Sequence, residues 1–335
     1  MSTGYQFTSR SALDTAVDLW ISNEASATNT YGDINTWDVS EITDFSNLFQ
    51  GKSNFNSDIG NWDVSSGTDF SGMFEDATSF NQDIGDWDVS NGTNFDSMFS
   101  EASEFNQDIG DWDVSSGTNF HAMFLCYGNS VFNQDIGSWD VSNGTNFDSM
   151  FEGATEFNQD IGDWDVSSNT DFSEMFADAK SFNQVIGNWD VSSGIDFDSM
   201  FRGAISFNQD ISDWDVSNGT QFDYMFLGAT SFNQDIRNWD VSNGNDFEGM
   251  FAFATDFDQD LTGWDLDSVN GKPLHIFYGA DQMLANGWGS TPNLSEDNRL
   301  ENNITGNSQD NILYGTDDDD VLKGGDGNDT YYVNT

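Results

Sequence analysis

The chain has 335 residues, with 8 Lys plus Arg against 59 Asp plus Glu, a net charge of −51. That surplus argues against nucleic acid or an anionic membrane as partner, because both are held through basic patches. Intrinsic disorder, the usual companion of such acidity, is opposed by 30 Phe and 12 Trp, residues that disordered chains avoid.

The opening "MSTGYQFTSR" has no apolar segment of a secretory signal, and no apolar run approaches the ~20 residues of a membrane span. Residues 1–30 read as an N-terminal cap. In "SRSALDTAVDLWIS", Ser11 is the expected N-cap, and Leu13, Ala16, Val17 and Trp20 form an apolar helical stripe.

Residues 31–285 are a repeat. Tryptophans stand at 37, 62, 87, 112, 139, 164, 189, 214, 239 and 264, spaced by 25 residues except for one step of 27. A fixed period in this range predicts a solenoid. In the copy from Trp87, Trp87 and Val89 face inward from a short strand and Asp88 outward. Thr93 and Phe95 are expected inward from a second extended piece. Phe95, Met98, Phe99 and Ala102 fit one face of a helical turn, and Phe105 and Ile109 complete the apolar centre. One such coil buries too little to offset its ordering cost, so coils must stack and be capped. "IFYGADQML" from Ile276 reads as part of a last, incomplete coil.

Aspartate follows every one of these tryptophans, at Asp38, Asp63, Asp88, Asp113, Asp140, Asp165, Asp190, Asp215, Asp240 and Asp265. A second column, from Asp33 to Asp260, is broken only by Val185. Stacked at ~4.8 Å, neighbouring carboxylates repel by roughly 0.9 kcal/mol in water. Hydrogen bonds, cations or a cationic partner must offset this, unless the columns are simply solvated. Asp63, Asp88, Asp113, Asp140 and Asp165 are therefore candidate ligand-binding residues. A threonine column (Thr68, Thr93, Thr118, Thr145, Thr170, Thr220) suits an ice-binding array only if it faces outward, and it is assigned inward. His121 and His275 look isolated, and no nucleophile–base pair is evident, so no enzyme is expected.

The 27-residue step falls in "HAMFLCYGNSVF", His121 to Phe132. Insertions in solenoids go to loops on one face, so Leu125–Val131 is expected to bulge, with Gly128 and Asn129 at its tip. Cys126 and Tyr127 are candidate contact residues. Cys126 is either a buried core thiol or exposed with Tyr127; an exposed thiol would open a disulfide-linked homodimer. The Val185–Arg202 region is a second break in the pattern.

The unit "WDVSxxTxFxxMFxxAxxFNQDIG" resembles the BspA-like leucine-rich repeats of bacterial surface proteins, in the 25-residue variant abundant in mycoplasmas. The resemblance implies a right-handed, three-sided leucine-rich-repeat solenoid of short parallel strands and helical turns, on a protein tied to adhesion. The family's Val before Thr is here mostly Gly, as at Gly67, Gly92 and Gly117. Phe70, Phe95 and Phe120 are expected to fill the vacated volume.

After a linker at 286–305, residues 306–335 carry "GGDGNDTYY" (Gly324–Tyr332), preceded by looser copies from Gly306 and Gly315. They resemble the RTX calcium nonapeptide. The resemblance implies a short parallel β-roll, Ca²⁺ as cofactor, and Asn311, Asp320, Asp326 and Asp329 among the ligands. It also implies an extracellular or cell-surface location reached by type I secretion. The combined expectation is an adhesion module whose partner is a cell-surface or matrix protein or a glycan. The alternative is a structural spacer with no ligand of its own.

Overall fold

A computed structural model describes residues 4–266, 275–280, 282 and 283, with the backbone of 304–305, 312–314, 322–323 and 330–332. The chain divides into two compact units, Met1–Asn169 and Thr170–Thr335.

Unit 1 opens with helices α1 (Arg10–Ser22) and α2 (Glu24–Tyr31). The N-cap of α1 is Ser9 rather than Ser11; its side chain accepts from the Ala12 N–H, satisfying a donor that the helix itself leaves open. Leu13, Ala16, Val17 and Trp20 are its buried residues, and Trp20 stands edge-on to Trp37 at 5.9 Å. Arg10 closes the polar edge by donating to the carbonyls of Asp44 and Ser46. In the next coil the equivalent carbonyls, of Asp69 and Ser71, accept from Phe45 and Asn47 of the coil before. The first coil has no such predecessor, and the guanidinium supplies the missing donors.

Within each unit, coils are joined to the next by an alternating pattern. In the copy from Trp87, the N–H groups of Phe95, Ser97, Phe99 and Glu101 donate to the carbonyls of Asn119, His121, Met123 and Leu125 at 2.8–3.0 Å. Between them, Met98, Ser100 and Ala102 donate three residues back, to Phe95, Ser97 and Phe99. Ser97 and Glu101 have φ of 54° and 57°. Unit 2 repeats the device at Glu174 and Asp178, and at Ser199 and Gly203. A left-handed residue every fourth position interrupts an α-helix. Phe95, Met98, Phe99 and Ala102 are buried as the helical period requires, yet successive turns bury them.

The expected fold class is therefore corrected. Within 4–266 there are no strands of a leucine-rich-repeat stack; coils meet through isolated parallel bridges such as Asp69–Asn94 in unit 1 and Asp196–Gln221 in unit 2. "WDV" buries Trp87 and Val89 and exposes Asp88, but the Asp88 carboxylate takes the Ser90 N–H and hydroxyl at 3.1 and 2.6 Å, which bends the chain after one extended step. The C-terminal β-roll is corrected too. Strands β1 (Ile304–Thr305) and β3 (Leu322–Lys323) pair in parallel, as do β2 (Ile312–Tyr314) and β4 (Thr330–Tyr332), forming two separate two-stranded sheets. Paired residues such as Ile304 and Leu322 lie 322 − 304 = 18 positions apart. The expected linker lies outside the described residues except for the backbone of 304–305.

Threonine also faces the other way. Thr68, Thr93, Thr118 and Thr145 are exposed, and each hydroxyl donates to the carbonyl of the threonine one coil earlier at 3.1–3.2 Å.

The periodic aromatics form the core of this repeat architecture. In unit 1, Phe99 lies 5.5 Å from Phe74 and 5.8 Å from Phe124, nearly parallel, and 4.0 Å from Phe105 within its own coil. In unit 2, Phe201 lies 5.7 Å from Phe176, 5.6 Å from Phe226 and 4.0 Å from Phe207. Indole N–H groups reach the preceding coil, Trp87 donating to Ile59 O at 3.3 Å and Trp214 to Ile186 O at 3.0 Å. A Cβ on Gly92 would sit 2.5 Å from Phe95 Cζ. Glycine is thus what admits the large ring, as the exchange of Val for Gly suggested.

A second ladder is made of amides. Asn106 Oδ1 accepts the Asn133 N–H at 3.0 Å and Gln134 Nε2 at 2.8 Å, while the Asn106 N–H is held by Asn81 Oδ1 at 3.0 Å. In unit 2, Asn208 Oδ1 does the same for Asn233 and Gln234.

Candidate functional site

The five candidate aspartates after tryptophan, Asp63, Asp88, Asp113, Asp140 and Asp165, are exposed, and each is spent on its own turn. Asp63, Asp88, Asp113, Asp140 and Asp165 all accept through Oδ1 from the N–H and hydroxyl of the serine two residues on, at 3.1–3.2 and 2.6 Å. The serine hydroxyl and then its N–H hold the carboxyls of Asp88 and Asp140 below the ordinary aspartate value, and the same cause acts at Asp190 and Asp240. The second column behaves alike, Asp108 Oδ1 accepting the Gly110 N–H at 3.0 Å. These hydrogen bonds, delivered within each coil, offset the repulsion along the columns.

The irregular coil is built differently. Cys126 is 2% exposed and Tyr127 is 76% exposed. The structure takes the buried alternative for the thiol, so the exposed cysteine that a disulfide-linked homodimer requires is not found. Burial pushes the Cys126 thiol up, with the nearby Glu101 carboxylate acting in the same direction. Glu101, one coil earlier, clamps the insertion: Oε1 accepts the Tyr127 N–H at 3.0 Å and Oε2 lies 3.7 Å from Cys126 Sγ. On the other side the Cys126 N–H donates to Glu152 O at 2.8 Å. Gly153, at φ 68°, lies so close to the Cys126 carbonyl that a Cβ there would meet it at 1.9 Å. Tyr127, Gly128 and Asn129 form the exposed run, and Phe132 returns to the core.

His121, which looked isolated in sequence, is not. Its Nδ1 lies 3.0 Å from Asp96 Oδ1 and its Nε2 lies 3.4 Å from Asp148 Oδ2, one carboxylate from each neighbouring coil. The bond from His121 is the largest influence on Asp96 and holds that carboxyl below its usual range. In unit 2 the same position of successive repeats is occupied by Asp198, Asp223 and Glu248. Burial, then the charges of Asp198 and Asp246, push Asp223 up to about 7. Reading single motifs missed both groups; laying the repeats in columns brings out Asp96, His121 and Asp148.

In the Val185–Arg202 region, Val185 and Ile195 are exposed, and Arg202 is paired with Glu174 and Asp178 at 3.2 and 3.0 Å. A cavity of about 330 Å³ beside α1 is lined by residues including Trp20, Ile21, Lys52 and Ser57. Three of its polar residues already serve the cap: Lys52 pairs with Asp18 at 3.0 Å, and Trp20 Nε1 donates to Ser57 Oγ at 3.0 Å. Among the described residues no group of three or more His, Cys, Asp or Glu is arranged to hold a metal ion. Asn311, Asp320, Asp326 and Asp329 lie outside the described residues.

Stacked aromatic coils, closed by their own side chains and joined by amide and backbone ladders, define a repeat protein. The chain belongs to the family described as Mycoplasma protein of unknown function, DUF285, which matches residues 20–130, 125–204 and 185–288. Residues 301–334 match the RTX calcium-binding nonapeptide repeat, and such repeats are calcium-binding motifs. The narrower BspA-like name is not carried by these matches. No curated protein and no solved structure matches the chain.

Proposed function

We propose that the chain is a ligand-recognition or adhesion module of a secreted or surface-exposed bacterial protein, and not an enzyme. The RTX repeats support an extracellular setting, and type I secretion is the export route that fits them. In the described residues no helix is long and apolar enough to cross a membrane. Ca²⁺ is the ion proposed for the C-terminal segment, with Asn311, Asp320, Asp326 and Asp329 among its ligands, oxygen donors of the kind this cation takes. The partner is a cell-surface or matrix protein or a glycan; the charge of −51 makes nucleic acid an unsuitable one.

One observation carries the reading. The 25-residue period breaks in length at one coil, and that break projects an aromatic ring, Tyr127, that is 76% exposed on a loop clamped by Glu101. Aromatic side chains on a fixed backbone are the usual anchors of recognition surfaces. A spacer without its own ligand is the second reading, favoured by the way the Asp63–Asp165 column is consumed by its own serines. Screening the full chain on glycan and surface-protein arrays, with and without Ca²⁺, separates the two. A ligand bound by the wild type and lost in Tyr127→Ala supports recognition. The absence of any ligand, or equal binding by both proteins, supports the spacer.

A further inference from the structure

The irregular coil is pinned at two places. Glu101 holds its insertion, and six residues before Tyr127 the His121 ring sits between Asp96 and Asp148. Each ring nitrogen therefore faces an acceptor. A neutral imidazole has one N–H donor and one lone pair; the imidazolium has two donors. Only the protonated ring donates to both carboxylates. In the neutral ring, one nitrogen lone pair is turned on a carboxylate oxygen.

We propose that His121 is a protonation-dependent clamp that fixes the coil carrying the Tyr127 loop between its two neighbours, so that presentation of the loop is controlled by pH. This regulation rests on the recognition reading above.

The backbone makes the coupling direct. The His121 carbonyl accepts the Ser97 N–H at 2.8 Å, and the Ala122 N–H donates to Asp148 O at 2.9 Å. Asp96 and Asp148 belong to the same residues or turns as these cross-coil bonds. The Asn119 side chain accepts the His121 N–H at 3.2 Å and donates to Asn94 at 3.1 Å, so the ring leaves a fixed frame when it moves. The carboxylates of Asp96 and Asp148 face it from the coils before and after, both negative. The sign follows: two carboxylates favour the imidazolium in the folded protein. The stabilisation is complete below the ~6.5 of a free imidazole and is lost as pH rises through the folded-state value. The side chain is 36% exposed, so solvent weakens the pairing and the expected effect is a local loosening.

NMR titration of the two histidine rings in the full chain, with His121→Gln assigning the signals, tests the idea. The expected His121 midpoint lies above that of a free imidazole and falls in both Asp96→Asn and Asp148→Asn, which keep side-chain shape. Amide hydrogen exchange across Ala122–Val131, corrected for intrinsic rates, should accelerate several-fold above that midpoint in the wild type. In His121→Gln it should be fast at every pH. A midpoint at or below the free value, insensitive to either Asn substitution, overturns the clamp, as does exchange that ignores the midpoint. Neither readout uses a ligand. A titration that behaves as expected, beside binding that is indifferent to Tyr127→Ala, keeps the clamp and removes only the recognition reading.

Discussion

Asn106→Ala removes one rung of the amide ladder. The Oδ1 of Asn106 takes two bonds from the following coil, the Asn133 N–H at 3.0 Å and Gln134 Nε2 at 2.8 Å. A net hydrogen bond contributes about 0.5–1.5 kcal/mol, and a stranded buried donor costs about 1–3 kcal/mol. Gln134 can turn to water, whereas the Asn133 backbone N–H is fixed. Both bonds are half-buried, so water recovers part of the loss, leaving roughly 1–2 kcal/mol. For a unit of this size that is a Tm lowered by about 2–8 °C, read by calorimetry on the full chain. Asn106→Asp keeps an acceptor at the same place. It should recover most of the loss in high salt and less in low salt, because it adds a charge to an acidic surface. An alanine variant that melts with the wild type would refute the ladder as a source of stability. An aspartate variant as damaged as alanine at every salt concentration would refute the acceptor argument.

Gly92→Ala should destabilise by about 1–3 kcal/mol, because its Cβ meets Phe95 Cζ at 2.5 Å and Val89 O at 2.9 Å; Phe95→Leu in the same chain should relieve part of this, as denaturant midpoints will show. Asp223 titrates near 7 in the folded protein, above its unfolded value, so stability is lost as pH rises from about 4 to 7. Asp223→Asn should flatten that loss in melting curves taken across the range, and an unchanged slope would place the proton elsewhere in the Asp198–Asp223 pair. Thiol reagents should label Cys126 slowly in the native chain and rapidly in denaturant, since it is buried and its thiol is pushed up; fast native labelling would contradict the packing. Calorimetric titration should show Ca²⁺ uptake reduced in Asp329→Ala, with affinities at the weak end, on the order of 10⁻⁴–10⁻³ M.

Much of the core was legible because aromatic period and burial are the same fact: the Trp column, Phe95, Met98, Phe99, Phe105 and Ile109 are buried where the 25-residue register puts them. The secondary structure was not legible, because the left-handed positions are filled by Ser97 and Glu101 as readily as by Gly51 and Gly153, so no glycine signature marks them. Spacing of i, i+3, i+4 and i+7 then reads as helix when the backbone alternates turns with cross-coil bonds. Thr93 was turned inward by strand alternation from Phe95, but Gly92 takes the inward place and Thr93 braces the surface. The acidic columns are visible in the sequence, while the spacing alone does not single out their partners, the serines two residues on. His121 needed a comparison of columns, since Asp96 and Asp148 lie 25 and 27 residues away.

The central claim is that the carboxylate columns close the coils and that recognition belongs to the interrupted coil. Titrating a ligand found on the arrays against the wild type, Tyr127→Ala and the double variant Asp88→Asn, Asp113→Asn tests it directly. The account predicts that Tyr127→Ala weakens binding by at least about ten-fold, roughly 1.4 kcal/mol, while the double variant, which keeps the Oδ1 acceptors, binds within about two-fold. Loss of binding in the double variant with Tyr127→Ala unaffected would contradict it and assign recognition to the acidic face.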